Sequence, residues 1–343
     1  MRLGIAGLNA LYWPVAAGNF LAGRPDVAFL AAATLGVSSA AIQASLGLTP
    51  EEYAAKYKVK LYDQAEEMIR KESLDTVVIV SPHSEHADWV ERLAVLGVNI
   101  YIPKTFVTSL DQADRILRVQ QQTGVKIAVG PSARFLPPMA AVRQGLDEGL
   151  IGQPFALRIC HHHGTIDVFN PKDWYRDPKE GGPELSLGWY GIDLALHLMG
   201  GEVSRVYANY GRFTSPDSPF MDCGRIVMEM KQGGIASFDM YFCNHFRYPS
   251  WQLEIVGPKG VISLTRGPND PYQVTVGVDR GDGFTPLPLP ADSPHWEMFW
   301  VDEFLQGREP SLSVEYARLV TQISLAARYA ASAGKTVHVS ESV

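Results

Sequence analysis

The first 130 residues alternate short apolar runs with longer stretches in which apolar positions recur every three or four residues. Leu3 to Ala6, Val27 to Thr34, Thr76 to Val80, Val98 to Ile102 and Ile127 to Val129 are dominated by apolar residues, the pattern of strands buried on both faces. Between them, DQAEEMIRKE sets Ala65, Met68 and Ile69 at helical spacing, and DQADRILRVQQQTG ends at Gly124, where a helix stop belongs. Strand and helix alternating in this order predict an α/β doubly wound parallel sheet.

The turn-rich stretch PSARFLPP, Pro131 to Pro138, breaks the alternation, and a helix is predicted from Met139 towards Glu148. Beyond Gly152 the chain becomes strand-rich: FALRICHHH, VSRVYANY, GRIVMEM, GIASFDMYF, WQLEIVG and GVISLTR are separated by Gly, Pro and Asp turns. These runs predict an α+β part with one large, open, mostly antiparallel sheet. HWEMFWVDEFLQG and VEYARLVTQISLAARYAASAG then return to helix. The expected division is 1–130 and 131–343, with the C-terminal helices packing back on the earlier layers.

A length of 343 residues fits two domains. With 46% hydrophobic and 20% charged residues the chain has the composition of a folded protein rather than a disordered one. The net charge of -7 and scattered basic residues exclude the electrostatic footprint of a nucleic-acid binder. No apolar run approaches the length of about 20 residues that crosses a bilayer, and MRLGIAG enters a strand at once, so a cytoplasmic location is expected. Cys160, Cys223 and Cys243 show no paired spacing and read as free thiols.

The first strand ends at Gly7 in GLNALY, where a dinucleotide site would cradle pyrophosphate on backbone amides in a GxGxxG turn. Gly7, Asn9 and Ala10 are therefore candidate cofactor contacts, although Asn9 and Tyr12 replace the second and third glycines. The second strand ends at Thr34, Leu35 and Gly36. It offers neither the acid that binds a ribose hydroxyl nor an Arg for an additional phosphate, which leaves NAD and NADP both open.

Three further segments resemble the Gfo/Idh/MocA oxidoreductase family. SPHSEH resembles its TPNxxH loop, with Ser81, Pro82 and His86 matching and His83 replacing Asn; the resemblance implies that Ser81, His83 and His86 lie along the cofactor. NIYIPKTFVTS is similar to its EKP motif, of which Lys104 is retained, with Pro103 and Thr105 beside it. GGPELSLGWYGIDLALHLMGG resembles the family's DxGxHxxD helix: Gly188 and Asp193 match, Ser186 replaces the first Asp, and Tyr190 replaces His, as in the glucose-fructose oxidoreductase and dihydrodiol dehydrogenase branch. RFLPPMAAVRQGLDEGLIGQPF and AASAGKTVHVS extend the resemblance over nearly the whole chain.

The resemblance implies a Rossmann-type domain followed by a substrate and oligomerisation domain, and a homo-oligomer assembled through the second sheet. It implies hydride transfer between NAD or NADP and a hydroxyl-bearing carbon of a sugar, polyol or related small molecule. Tyr190 would move the proton; Lys104, also beside the cofactor, and Asp193 would orient the hydroxyl. Helical spacing puts Tyr190, Asp193 and His197 close to one face.

Along RICHHHGTID, strand alternation sends His161 and His163 to one face and Cys160 and His162 to the other. His161 and His163 are the candidates for a metal, with Asp167, Asp193, His197 or His245 needed to complete a set. The expectation is a substrate-facing strand without metal, with His163, Asp167, Trp174 and His197 as substrate contacts. Two other functions remain open: a repurposed non-redox lyase or hydrolase of the same fold, and a catalytically silent ligand-binding or partner subunit.

Overall fold

Strands β1 (Arg2–Ala6), β2 (Ala28–Ala33), β3 (Lys60–Tyr62), β4 (Thr76–Ile79), β5 (Asn99–Pro103) and β6 (Ile127–Gly130) pair in parallel in the order β3-β2-β1-β4-β5-β6. This is the order of a doubly wound nucleotide-binding sheet, and it reverses direction between β1 and β4. The computed structural model describes residues 1–10, 13–163, 174–214, 219–242, 251–266 and 274–341, the side chains of 265, 266, 274 and 341 excepted. The chain forms two units: Met1–Pro131 with Phe169–Gly181 and Glu297–Leu319, and Ser132–Val168 with Gly182–Trp296 and Val320–Val343.

In the first unit the crossovers are α1 (Trp13–Ala22), α2 (Ser39–Leu46), α3 (Pro50–Tyr57), α4 (Ala65–Glu72), α5 (His86–Ala94) and α6 (Leu110–Thr123). Leu3, Ile5, Val77, Ile79, Ile100 and Ile102 are shielded from solvent, each such side chain contributing roughly 1.5–3 kcal/mol of hydrophobic stabilisation. The predicted stop of α6 is present: Gly124 takes a left-handed φ of 71° and its N–H returns to the Gln120 carbonyl. The short edge strand β3 and the helices α2 and α3 carry little apolar periodicity and were not expected from the pattern. Helix α3 is instead specified at its start, where Thr49 and Glu52 form a reciprocal capping box.

The second unit holds α7 (Pro137–Asp147), α8 (Gly182–Ser186), α9 (Gly188–Met199) and a nine-stranded sheet. Its strands are β7 (Ala156–His162), β8 (Val203–Gly211), β9 (Cys223–Met230), β10 (Ile235–Tyr241), β11 (Trp251–Gly257), β12 (Gly260–Arg266), β13 (Val274–Asp279), β14 (Phe284–Pro286) and β15 (Val337–His338). They lie in the order β14-β13-β12-β11-β7-β10-β9-β8-β15. Among the described residues only β7 and β10 of this sheet pair in parallel, so the sheet is mixed and mostly antiparallel, as expected.

Helix α9 covers one face of that sheet. A Cβ at Gly191 would strike the Phe238 ring, so the missing side chain lets the helix approach β10 closely. The other face presents Arg158, Arg225 and Tyr207 towards solvent. The remaining helices are α10 (Phe299–Leu305), in the first unit, and α11 (Val314–Ala333). No helix among the described residues is long and apolar enough to cross a membrane.

Candidate functional site

The chemistry-bearing residues of the first unit gather at the carboxyl ends of its strands. Gly7 follows β1 with φ 106°, and a Cβ there would strike the Val80 carbonyl oxygen and press on Leu35. Only glycine fits so close an approach. Asn9 lends its carbonyl to the indole N–H of Trp174, and helix α1 begins at Trp13. Tyr12, the residue standing where the third glycine would be, lies outside the described residues. Thr34, directly after β2, is buried and donates its hydroxyl proton to Asp63 Oδ1 at 3.3 Å.

After β4, Ser81 opens a loop whose two histidines face inward. The Thr105 N–H donates to His83 Nε2 at 3.2 Å. His83 therefore carries its proton on Nδ1, which donates to the Glu180 carbonyl at 2.7 Å. Trp174 and Tyr175 meet the ring edge-on, with centroids 4.9 and 5.8 Å away. Burial pushes the His83 pKa down to about 3, helped by His86. His86 Nδ1 lies 2.7 Å from the Phe106 carbonyl and Nε2 3.2 Å from that of Ser81. Burial holds it neutral too, with a pKa of about 4, and the shorter contact takes its single proton. The Glu180 carboxylate clamps the loop from outside, accepting the Ser84 N–H at 2.9 Å and hydroxyl at 2.7 Å.

Lys104 stands one residue beyond β5, its N–H bound to the Gly130 carbonyl. Burial lowers its pKa to about 8, against the opposing influence of Glu297. Burial likewise raises the Glu297 pKa to about 7, with Lys104 resisting. The Glu297 main chain is fixed by Tyr101, which donates to its carbonyl at 3.1 Å and stacks on Trp300 of α10 at 4.7 Å. Sequence reading missed Glu297, since it lies almost two hundred residues from Lys104 in the HWEMFWVDEFLQG run, which carries only a helical pattern. Next to Lys104, the Thr105 hydroxyl is buried without a hydrogen-bond partner among the described residues.

In the second unit, α9 carries Tyr190, Asp193 and His197. Tyr190 is 3% exposed. Its ring lies among His161, Trp251 and Trp296, with centroids 5.7, 5.8 and 6.4 Å away. His161 stacks on Trp251 at 3.9 Å, and His163 stacks on Phe242 at 5.2 Å. His161 and His163 share a face at 5.5 Å, while His162 and Cys160 contact each other on the opposite one, as strand alternation predicts. Burial pushes the Cys160 thiol up to about 12, so it is protonated at neutral pH.

Asp193 is fully buried and accepts from the Ser132 hydroxyl and the Arg134 guanidinium. Arg134 went unassigned in the sequence, although it is the Arg of the RFLPP stretch. His197 is kept neutral at about 4, by burial first and then by the Arg134 cation. No group of three or more metal-ligating side chains occurs among the described residues. Asp167, His245 and Cys243 lie outside the described residues. The expected residues thus fall into two sets. Gly7, Asn9, Thr34, Ser81, His83, His86, Lys104 and Trp174 belong to the first unit, while Tyr190, Asp193, His161, His163 and His197 belong to the second.

Comparison with known proteins places these sets in context. A family model described as an oxidoreductase family with an NAD-binding Rossmann fold matches residues 2–131, and a GFO/IDH/MocA C-terminal domain model matches residues 139–263. The chain is 26% identical over 219 residues to an inositol 2-dehydrogenase of Rhizobium meliloti, covering 63% of each protein and so less than two thirds of that relative. It is 24% identical over 294 residues to a D-apiose dehydrogenase of Rhizobium rhizogenes, covering 81% of this chain and 83% of the relative. An Agrobacterium radiobacter oxidoreductase solved with NAD+, L-tartaric acid and magnesium superimposes with a TM-score of 0.82 at 20% identity, over 100% of this chain and 99% of that one. At that identity the likeness speaks for the fold.

Proposed function

Because the chain belongs to the Gfo/Idh/MocA oxidoreductase family, we propose that it transfers a hydride between NAD(H) or NADP(H) and a hydroxyl-bearing carbon of a sugar, polyol or related small molecule. The supporting observation is the row of Gly7, Thr34, Ser81 and Lys104 at or just past the carboxyl ends of β1, β2, β4 and β5. Doubly wound sheets take their ligands there, where the strand order reverses. The residues fit a dinucleotide: the Gly7 turn admits no side chain, and the Thr105 hydroxyl offers a buried polar group for a ligand to satisfy.

In this reading residues 1–130 hold the nucleotide and 131–343 supply the substrate surface. Gly7, Asn9, Ala10, Thr34 and Ser81 border the cofactor. His83 and His86 turn their nitrogens to main-chain groups, so their part is to shape the Ser81 loop. Trp174, bound to Asn9 and packed on His83, belongs with the cofactor turn. A bound nicotinamide accepts or donates the hydride. The Lys104 ammonium stabilises charge on the substrate oxygen, and the Tyr190 oxygen receives or returns the hydroxyl proton. Asp193, clamped by Ser132 and Arg134, positions the face of α9 that carries Tyr190. His163, exposed beside Phe242, is a substrate contact.

Assembly as a homo-oligomer through the open sheet face is part of the proposal, supported by exposed Tyr207 and Ile235. Calorimetric titration with NAD+ and NADP+, followed by turnover of a sugar and polyol panel, tests the reading. Absence of binding by both nucleotides overturns it.

A further inference from the structure

The second strand ends without the acidic residue that ordinarily binds the adenosine ribose, yet a carboxylate stands beside that strand end. Asp63, on the turn between β3 and α4, accepts the Thr34 hydroxyl proton on Oδ1 at 3.3 Å. The attachment is reinforced by the main chain, since the Thr34 N–H donates to the Tyr62 carbonyl at 2.9 Å. Three sequence features hid this residue: β3 is only three residues long, Asp63 lies 29 positions beyond Thr34, and it reads as an ordinary helix-preceding acid.

A chain of contacts ties this carboxylate to the Gly7 turn. Leu35 and Gly36 both take left-handed angles, φ 57° and 76°, and the Val37 N–H closes the turn onto the Thr34 carbonyl at 3.1 Å. That tight turn throws Leu35 over β1: its Cδ1 lies 3.3 Å from the point a Cβ on Gly7 would occupy. Gly7, Leu35, Thr34 and Asp63 are therefore successive neighbours. In a doubly wound site the pyrophosphate lies on the first turn and the adenosine ribose at the end of the second strand.

Beside Asp63 opens a hollow of about 480 Å³ whose lining includes Glu51, Glu67 and Lys71. The Lys71 ammonium is 2.6 Å from Glu67, so its charge is already matched, and the other charged groups of the lining, Glu51 and Asp63, are both acidic. Such a surface accepts hydrogen bonds from neutral hydroxyls and repels a phosphate dianion.

We propose that Asp63 receives the ribose hydroxyls of the adenosine half and, with the acidic hollow, makes the protein selective for NAD(H) over NADP(H). The assignment rests on the nucleotide-dependent reading given above, and direct binding separates the two. Calorimetric titration of the full chain with NAD+ and with NADP+ is expected to favour NAD+ by at least about tenfold. Asp63→Ser is expected to weaken NAD+ by roughly 10- to 100-fold, the worth of a hydrogen bond to a charged group, and to narrow the NAD+/NADP+ ratio. The thermal midpoint should stay unchanged, because Asp63 is exposed; if Asp63→Ser melts early, the isosteric Asp63→Asn supplies the same measurement. Equal or tighter NADP+ binding by the unaltered protein, or an unchanged ratio in the variants, overturns the Asp63 assignment alone. Failure of both nucleotides to bind overturns the nucleotide reading and this assignment with it.

Discussion

Two histidine pairs, one in each unit, look alike in sequence and differ in the aromatic surroundings of their rings. His83 and His86 after β4 are 5% and 2% exposed, and main-chain groups lie within hydrogen-bonding distance of both nitrogens in each ring. His161 on β7 and His163 just beyond it make ring contacts, with Trp251 and Tyr190 around one and Phe242 against the other. A buried ring bonded to the main chain sets loop geometry and stays neutral. An imidazole stacked on an aromatic keeps its nitrogens in the ring plane, turned away from the stacking partner. The first pair came from a motif and the second from strand alternation, and the motif pair is the one with main-chain groups against both ring nitrogens.

The largest effect expected from breaking this comparison lies outside both pairs. Lys104→Ala should lower kcat/KM by about 10²–10⁴-fold with an unchanged circular-dichroism spectrum; normal turnover would remove Lys104 from the chemistry. Because burial sets the Lys104 pKa at about 8, kcat/KM should fall as pH rises through that value and the ammonium is lost.

Next comes the second unit's buried ion pair. Arg134→Ala leaves Asp193 as an uncompensated buried carboxylate and should cost about 3–5 kcal/mol in denaturant unfolding. Arg205→Ala breaks the pair with Glu229, whose side chains are 47% and 41% exposed, and should cost less than about 1 kcal/mol. Comparable losses from the two would show that burial does not govern the Asp193 clamp.

The histidines themselves follow. His86→Ala removes a buried ring and orphans its carbonyl partner, an expected loss of about 2–4 kcal/mol, whereas His163→Ala should change stability by less than about 0.5 kcal/mol and raise KM. The reverse pattern would exchange the roles assigned to the two pairs.

The smallest effect is a pH dependence. The folded-state pKa values of His83 and His86, about 3 and about 4, lie below the ordinary 6.5, so the unfolded chain binds more protons between those limits. Their stabilisation is fully present above 6.5 and is lost as pH falls through that window. From pH 7 to 6 each should cost roughly 0.5–1 kcal/mol, and His86→Asn should flatten the dependence. A melting curve as flat before the substitution as after it would count against burial as the cause.

Legibility in the sequence followed the range of the interactions concerned. Strands β1, β2, β4, β5 and β6 were visible because burial on both faces demands apolar runs, whereas β3 and β15 are edge strands of three and two residues and leave no such trace. Gly7 and Gly124 were readable because positive φ restricts the residue type locally. The face-sharing of His161 with His163 followed from strand period alone.

The amino-acid pattern by itself determined the strand order class, the mixed second sheet and the positions of Lys104 and Tyr190 on their elements. Only tertiary structure decided that Glu297 acts on Lys104, that Arg134 neutralises Asp193, that Glu180 clamps the Ser84 loop and that Asp63 stands at the end of β2. The reason is physical: periodicity and turn preference act over a few residues, while electrostatic partners are chosen by proximity in space, which the chain reaches from any distance along its length.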